Sequence, residues 1–230
     1  MITGVILAGG MSTRMGCDKA SLPVGQRTLI EHVLRHARPH VQRVLIVANA
    51  QNAPRLRRLD AEVVVDLQPG YGPLMGIFTA LMHAETPLAV CIPCDMPWVH
   101  PRLIDRLVGA HHQGIDCVAG LHPWHGLQPF PLVCHVTSCR TIGALLNRGA
   151  RSLQAFCASP RARLVRIHEP NLWRSFTNVN TVAEYAKLAQ DPAAHPSRAD
   201  RAHDLEPNTP LDSWSDGEAP TWDGIKRVEP

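Results

Sequence analysis

An apolar run, Val5-Ile6-Leu7-Ala8, stops at the pair Gly9-Gly10, and the polar loop behind it carries Ser12, Thr13, Arg14, Gly16, Asp18 and Lys19. A buried strand that ends on two glycines lets backbone N–H groups approach an anionic ligand closely, with no Cβ in the way. Arg14 and Lys19 add two positive charges over the same loop. The combination suits a nucleoside triphosphate. It is neither of the commoner phosphate loops. A P-loop continues its second glycine into Lys-Ser/Thr, whereas Gly16 is followed by Cys17-Asp18-Lys19. The dinucleotide fingerprint needs G-x-G-x-x-G, which Gly9-Gly10-Met11 does not supply.

Asp95, in Cys91-Ile92-Pro93-Cys94-Asp95-Met96-Pro97, is the carboxylate that could complete such a site. Mg²⁺ is usually held by one or two carboxylates together with substrate phosphates; the plain alternative is an aspartate that caps a turn. The neighbouring C-x-x-C looks like a redox or zinc motif. Positions three apart on a strand point to opposite faces, however, and no second cysteine pair completes a zinc site. Cys91 and Cys94 therefore read as packing residues. Asn49 could recognise a nucleobase edge or a ribose, or simply shape a turn, and Asp66 could accept hydrogen bonds from base or sugar, or be a loop aspartate. His111, His112, His122 and His125 suggest a metal cluster by composition. The first two fall at a helix end and the other two have no carboxylate near them, so a loop that contacts substrate is the better reading.

The elements that must position these residues follow from the pattern of apolar runs. Val5–Ala8, Val44–Ala48, Val63–Val65 and Leu88–Ile92 are continuous apolar strands. Thr28-Leu29-Ile30-Glu31 has the form of a capping box that opens a helix ending before Pro39. Gly72-Pro73 opens a helix to about His83, and Pro101 starts another. Apolar strands alternating with helices predict an α/β fold: a doubly wound, mostly parallel sheet with helices on both faces. Ligands of such sheets sit beyond the carboxyl ends of the strands. Gly9, Asn49, Asp66 and Asp95 all fall there, which merges separate signals into one site. Beyond Ala119 the pattern is harder to read. His122–Pro131 looks like a loop rich in His, Trp and Pro, Val136–Leu146 and Ser152–Ala158 like helices, and Arg163–Ile167 like a strand. Thr181-Val182-Ala183-Glu184 is a second capping box, before a helix to about Ala189.

The 230 residues suffice for one domain with a substantial core. No apolar run reaches about 18 residues, and the N-terminus has neither a basic n-region nor a cleavage site, so neither a membrane span nor a signal peptide is expected. Seven cysteines at irregular spacing fit a reducing cytoplasm. The net charge of +3 hides an asymmetry: residues 191–230 hold nine acidic and four basic residues, leaving 11 acidic and 19 basic in residues 1–190. A basic body suits an anionic substrate. Nucleic acid is not expected, for want of a basic run interleaved with aromatics.

Taken together, Leu7-Ala8-Gly9-Gly10, Arg14-Met15-Gly16, Asp18-Lys19 and Leu22-Pro23 resemble the signature of nucleotidyltransferases that act on molybdopterin. Gly72-Pro73-Leu74-x-Gly76, Pro93-Cys94-Asp95-Met96-Pro97 and Phe176-x-Asn178-Val179-Asn180-Thr181 narrow the resemblance to the molybdenum cofactor guanylyltransferases of the MobA type. It spans residues 2–189 and departs from the usual pattern at Cys17, where a second glycine is common. The resemblance implies a nucleotide site of Leu7, Ala8, Gly9 and the backbone of Gly10, with Lys19 on phosphate. It implies that Asn49 and Asp66 contact guanosine, that Asp95 holds Mg²⁺ and the nucleotide, and that Arg14 stabilises the leaving pyrophosphate. Asn178 and Asn180 would line the pterin side. The substrates implied are GTP and molybdopterin or its molybdenum-loaded form, with molybdenum-insertion and molybdoenzyme-maturation proteins as further partners. The same parts would serve CTP, or a sugar phosphate as acceptor. A non-catalytic nucleotide-binding or cofactor-delivery protein is disfavoured because Arg14, Lys19 and Asp95 are all present.

Residues 1–190 are thus expected to form the nucleotidyltransferase domain and 191–230 a disordered acidic tail. The tail has six prolines and no periodic apolar face with which to offset its ordering entropy. Truncation after Gln190 is expected to leave nucleotidyl transfer and melting temperature almost unchanged. A large drop in either would mean that Trp214 or Trp222 docks onto the body as an aromatic anchor.

Overall fold

The structure, a computed structural model, describes residues 1–10 and 18–189. The expectations for Arg14, for Cys17 and for the segment 191–230, with Trp214 and Trp222, lie outside the described residues. In chain order the strands are β1 (Ile2–Ala8), β2 (Pro23–Val24), β3 (Arg27–Thr28), β4 (Arg43–Ala48), β5 (Glu62–Val65), β6 (Leu88–Pro93), β7 (Cys117–His122), β8 (Gly126–His135) and β9 (Ala162–Arg166). The helices are α1 (Leu29–Ala37), α2 (Ala53–Leu56), α3 (Pro73–His83), α4 (Pro101–Gly109), α5 (Cys139–Asn147), α6 (Leu153–Cys157), α7 (Pro170–Trp173) and α8 (Val182–Ala189).

Seven strands form one sheet in the order β5-β4-β1-β6-β8-β7-β9, and β2 and β3 form a separate hairpin. β8 alone runs against its neighbours in the large sheet, so β7 and β9 return to the direction of β1. Alternation along the strands sends side chains to two cores. Ile6, Ile46 and Ile92 pack with Val33 of α1 and Leu103 of α4, while Val5, Leu45 and Cys91 pack with Leu74 and Ile77 of α3 and Phe156 of α6. Each such large aliphatic side chain, fully buried, is worth about 1.5–3 kcal/mol. Cys91 and Cys94 fall in opposite cores, as alternation requires, and their thiols are free.

Local signals set the helix ends. Thr28 and Glu31 make the capping box of α1, with the Glu31 carboxylate accepting from both the N–H and Oγ1 of Thr28 at 2.7 Å. Thr181 and Glu184 do the same for α8, where Glu184 N–H donates to Thr181 Oγ1 at 3.2 Å. Before α3, Gly72 adopts φ +81° and ψ 178°, a conformation nearly exclusive to glycine. A Cβ there would stand 2.7 Å from the Arg151 carbonyl oxygen. Gly72→Ala is therefore expected to lower the unfolding free energy by roughly 2–3 kcal/mol, measured by urea titration.

The expected loop His122–Pro131 is corrected by the structure: His122 ends β7, and Gly126 opens a ten-residue strand. Proline argues against a paired strand because it cannot donate to the ladder. Here the register jumps from Gly120↔Gln128 to Ala119↔Leu132, so Pro129 and Pro131 fall inside a bulge where no ladder bond is required of them.

Candidate functional site

Because β5, β4, β1 and β6 are adjacent and parallel, their carboxyl ends line up along one edge. Asp66, Asn49, Gly9 and Asp95 follow those ends in that order. Backbone bonds continue the ladder past the strands: Asp66 N–H donates to Ala48 O at 2.8 Å, and Cys94 N–H to Leu7 O at 3.0 Å. The site is thus an extension of the sheet.

At its centre, Lys19 Nζ lies 3.2 Å from Asp95 Oδ2 and donates to Asn180 Oδ1 at 2.9 Å. Three segments more than seventy residues apart meet at one ammonium. The Asn178–Asn180 segment is docked by its backbone as well, with Val179 N–H on Asp95 O at 2.9 Å. Asn180 N–H donates to Glu184 Oε2 at 2.7 Å, which holds the Glu184 carboxyl below its ordinary value. Asp95 differs. Its side chain is only 14% exposed, and burial pushes its carboxyl above the usual range against the pull of Lys19. Its Oδ1 is buried without a hydrogen-bond partner among the described residues. A buried carboxylate oxygen with no donor carries a substantial desolvation cost unless something binds it. The unpartnered oxygen is what a Mg²⁺ ligand requires, so the residues present fit that ion. Burial likewise pushes the Cys94 thiol well up, which suits packing and not nucleophilic chemistry.

At the end of β5, Asp66 Oδ1 accepts from Thr79 Oγ1 at 3.1 Å and from Gln68 N–H at 3.3 Å. Its Oδ2 lies 3.6 Å from where a Gly9 Cβ would stand and faces Gly76 of α3 at 4.0 Å by the same measure. Asn49 shapes a turn by its side chain. Its Oδ1 accepts from the N–H groups of Gln51 and Asn52 at 3.0 and 2.9 Å, so it shapes the turn into α2, while its Nδ2 reaches Gly9 O at 3.5 Å. A Cβ at Gly10 would meet nothing within 4 Å among the described residues.

Sequence reasoning missed Asn52. Its buried Nδ2 donates to Ala8 O at 2.8 Å and to Asp18 Oδ1 at 3.4 Å, tying the glycine turn to the far side of its loop. Asp18 also caps the Lys19–Ser21 turn through Ala20 N–H and pairs with Arg55. A lone asparagine in a polar turn gives no signal that its amide is buried. Also missed was an aromatic cluster at the end of β7. His122 lies 5.1 Å from Trp173, 4.6 Å from His125 and 6.1 Å from Phe176, centroid to centroid. His111 belongs elsewhere, stacked on His135 at 5.7 Å. Burial and the neighbouring His125 hold the His122 imidazole below its ordinary pKa.

Known proteins resemble this chain in sequence and fold. Residues 4–164 match the MobA-like NTP transferase domain. The chain is 34% identical over 200 residues to a molybdenum cofactor guanylyltransferase of Burkholderia ambifaria, covering 82% of this chain and 96% of that protein. It is 31% identical over 193 residues to one of a Shewanella species, covering 83% and 96%. Among solved structures, the molybdopterin-guanine dinucleotide biosynthesis protein A of Archaeoglobus fulgidus superposes with a TM-score of 0.70 at 24% identity, over 82% of this chain and 97% of that one.

Proposed function

The chain belongs to the MobA-like NTP transferase family and is a nucleotidyltransferase, and we propose that it transfers GMP from GTP to the terminal phosphate of molybdopterin. A phosphate oxygen of the acceptor attacks the α-phosphorus, the bond to the β-phosphate oxygen breaks, and pyrophosphate leaves. The product is the guanine dinucleotide form of the cofactor. The choice of base and acceptor rests on the relatives named guanylyltransferase, at 31–34% identity. The observation that carries the chemistry is the junction of Lys19, Asp95 and Asn180, with Asp95 Oδ1 left for a cation.

The phosphate nucleophile is already ionised at neutral pH, so no side chain need act as a general base. Catalysis then rests on positioning and charge neutralisation. The glycine turn of Leu7, Ala8, Gly9 and Gly10 presents backbone to the triphosphate. Lys19 neutralises the phosphate tail, and Asp66 Oδ2, beside Gly9, accepts from the nucleoside. Asn49, whose Nδ2 reaches Gly9 O, is assigned with Asp66 to the guanosine. Arg14, outside the described residues, is assigned to the leaving pyrophosphate by its place in the motif. Asp95 would hold Mg²⁺ through Oδ1, and the bound ion supplies charge neutralisation on phosphate oxygens. Asn178 and Asn180, which flank Val179 where its N–H is bonded to Asp95 O, are assigned to the acceptor side.

The test is incubation with Mg²⁺ and labelled GTP, ATP, CTP or UTP, with and without molybdopterin. The expected result is pyrophosphate release from GTP that requires both molybdopterin and the cation, and stops when EDTA is added. Equal turnover of CTP would overturn the base assignment, and release without molybdopterin the acceptor. No helix among the described residues is long and apolar enough to cross a membrane.

A further inference from the structure

Trp124 is 67% exposed, although a large indole is ordinarily among the more buried side chains. It is nonetheless held in place. Its ring meets Trp173 edge-on at 4.4 Å, and Trp173 is itself fixed by a bond from Nε1 to Ile167 O at 2.9 Å. The turn that carries Trp124 is closed by His122, whose Nδ1 accepts the N–H groups of Trp124 and His125 at 3.2 and 3.3 Å. His122 is buried at 6% exposure. Gly120 leaves room for Phe176 beneath it: a Cβ there would stand 2.8 Å from the Phe176 ring. The exposed indole is therefore preorganised by its turn, its ring partner and the packing below.

Its position is as informative as its rigidity. β7 runs parallel to β1 and β6, so the His122 end lies on the same carboxyl edge as Gly9 and Asp95, where ligands of such sheets bind. Phe176, under the cluster, is four residues before Asn180, the partner of Lys19. Four residues span at most about 14 Å. Asp66 and Gly9, assigned above to the nucleotide, lie three and one strand ends away from Asp95 in the opposite direction.

We infer that Trp124, backed by Trp173 and His122, is the stacking platform for the flat fused heteroaromatic ring of the acceptor, here a pterin. The inference rests on the guanylyl-transfer reading for its acceptor. Stacking on an exposed, rigid indole suits this task because it holds a planar ring without hydrogen bonds and costs little side-chain entropy.

The experiment reads pterin binding directly and apart from turnover. In the full-length protein, an indole stacked on 6-hydroxymethylpterin should quench that pterin's own fluorescence. Trp124→Ala is expected to weaken this binding about tenfold or more, and Trp124→Phe to restore much of it. In the transfer assay, Trp124→Ala should raise the KM for molybdopterin by a similar factor and leave the KM for GTP unchanged. Undiminished pterin affinity in Trp124→Ala overturns the platform, as does a rise in the KM for GTP alone. If pterin binding depends on Trp124 while GMP is never transferred, the platform stands and the guanylyl-transfer reading falls. If GMP is transferred and the Trp124→Ala KM is normal, the reverse holds.

Discussion

Asp95→Ala is expected to lower kcat by about 10³-fold or more, equivalent to roughly 4 kcal/mol of transition-state stabilisation, while the melting temperature changes little. The asymmetry follows from the geometry. Oδ1 has no hydrogen-bond partner among the described residues, so truncation removes a desolvated oxygen and not a structural contact. Oδ2 is shared with Lys19, which keeps Asn180 as a second partner. The segment Asn178–Asn180 stays docked, because its bond is to the Asp95 backbone carbonyl. Asp95→Asn separates charge from shape. It should be as inactive as the alanine variant, yet fold as well as the parent. The pH dependence has a definite sign. Burial raises the Asp95 pKa in the folded state, so its contribution to stability is present below its ordinary value and is lost as pH rises through the folded one. Ligand-free wild-type protein should thus lose stability over that rise, and Asp95→Asn should lack this slope. Near-normal turnover in Asp95→Ala would remove the residue from the site.

The half of the fold that carries the Gly9–Gly10 turn was legible because β1, β4 and β6 are covered on both faces. Val5–Ala8 and Leu88–Ile92 read as continuous apolar runs for the same reason that they now lie between two cores. Their carboxyl ends therefore picked out Gly9 and Asp95 without any contact being known. The β7–β8 hairpin was illegible because its bulge admits Pro129 and Pro131, and because His122 and Trp124 serve a surface cluster and break the apolar pattern. The contacts of Asn52 and Asn180 were hidden for another reason. Each depends on a partner brought in by topology, Ala8 in one case and Lys19 in the other, and neither leaves a periodic trace.

Lys19→Ala is expected to weaken GTP binding about 10- to 100-fold, the usual worth of a hydrogen bond to a charged group, and GMP binding far less. The difference arises because the ammonium is assigned to the phosphate tail that GMP lacks. A purely structural lysine would predict the opposite pattern: loss of its bonds to Asp95 and Asn180 would loosen the Asn178–Asn180 segment and weaken both nucleotides alike. Isothermal titration with each nucleotide decides between them, and an equal fall would contradict the phosphate role. A second readout follows from the ion pair. Lys19 is the main influence that lowers the Asp95 pKa against the effect of burial, so its removal lets that pKa rise further. Turnover that needs ionised Asp95 should then show an acid limb shifted to higher pH in Lys19→Ala. Lys19→Arg keeps the charge and should return that limb toward its wild-type position. It should recover GTP affinity only in part, because the planar guanidinium does not reproduce the compact ammonium that reaches Asp95 and Asn180 together.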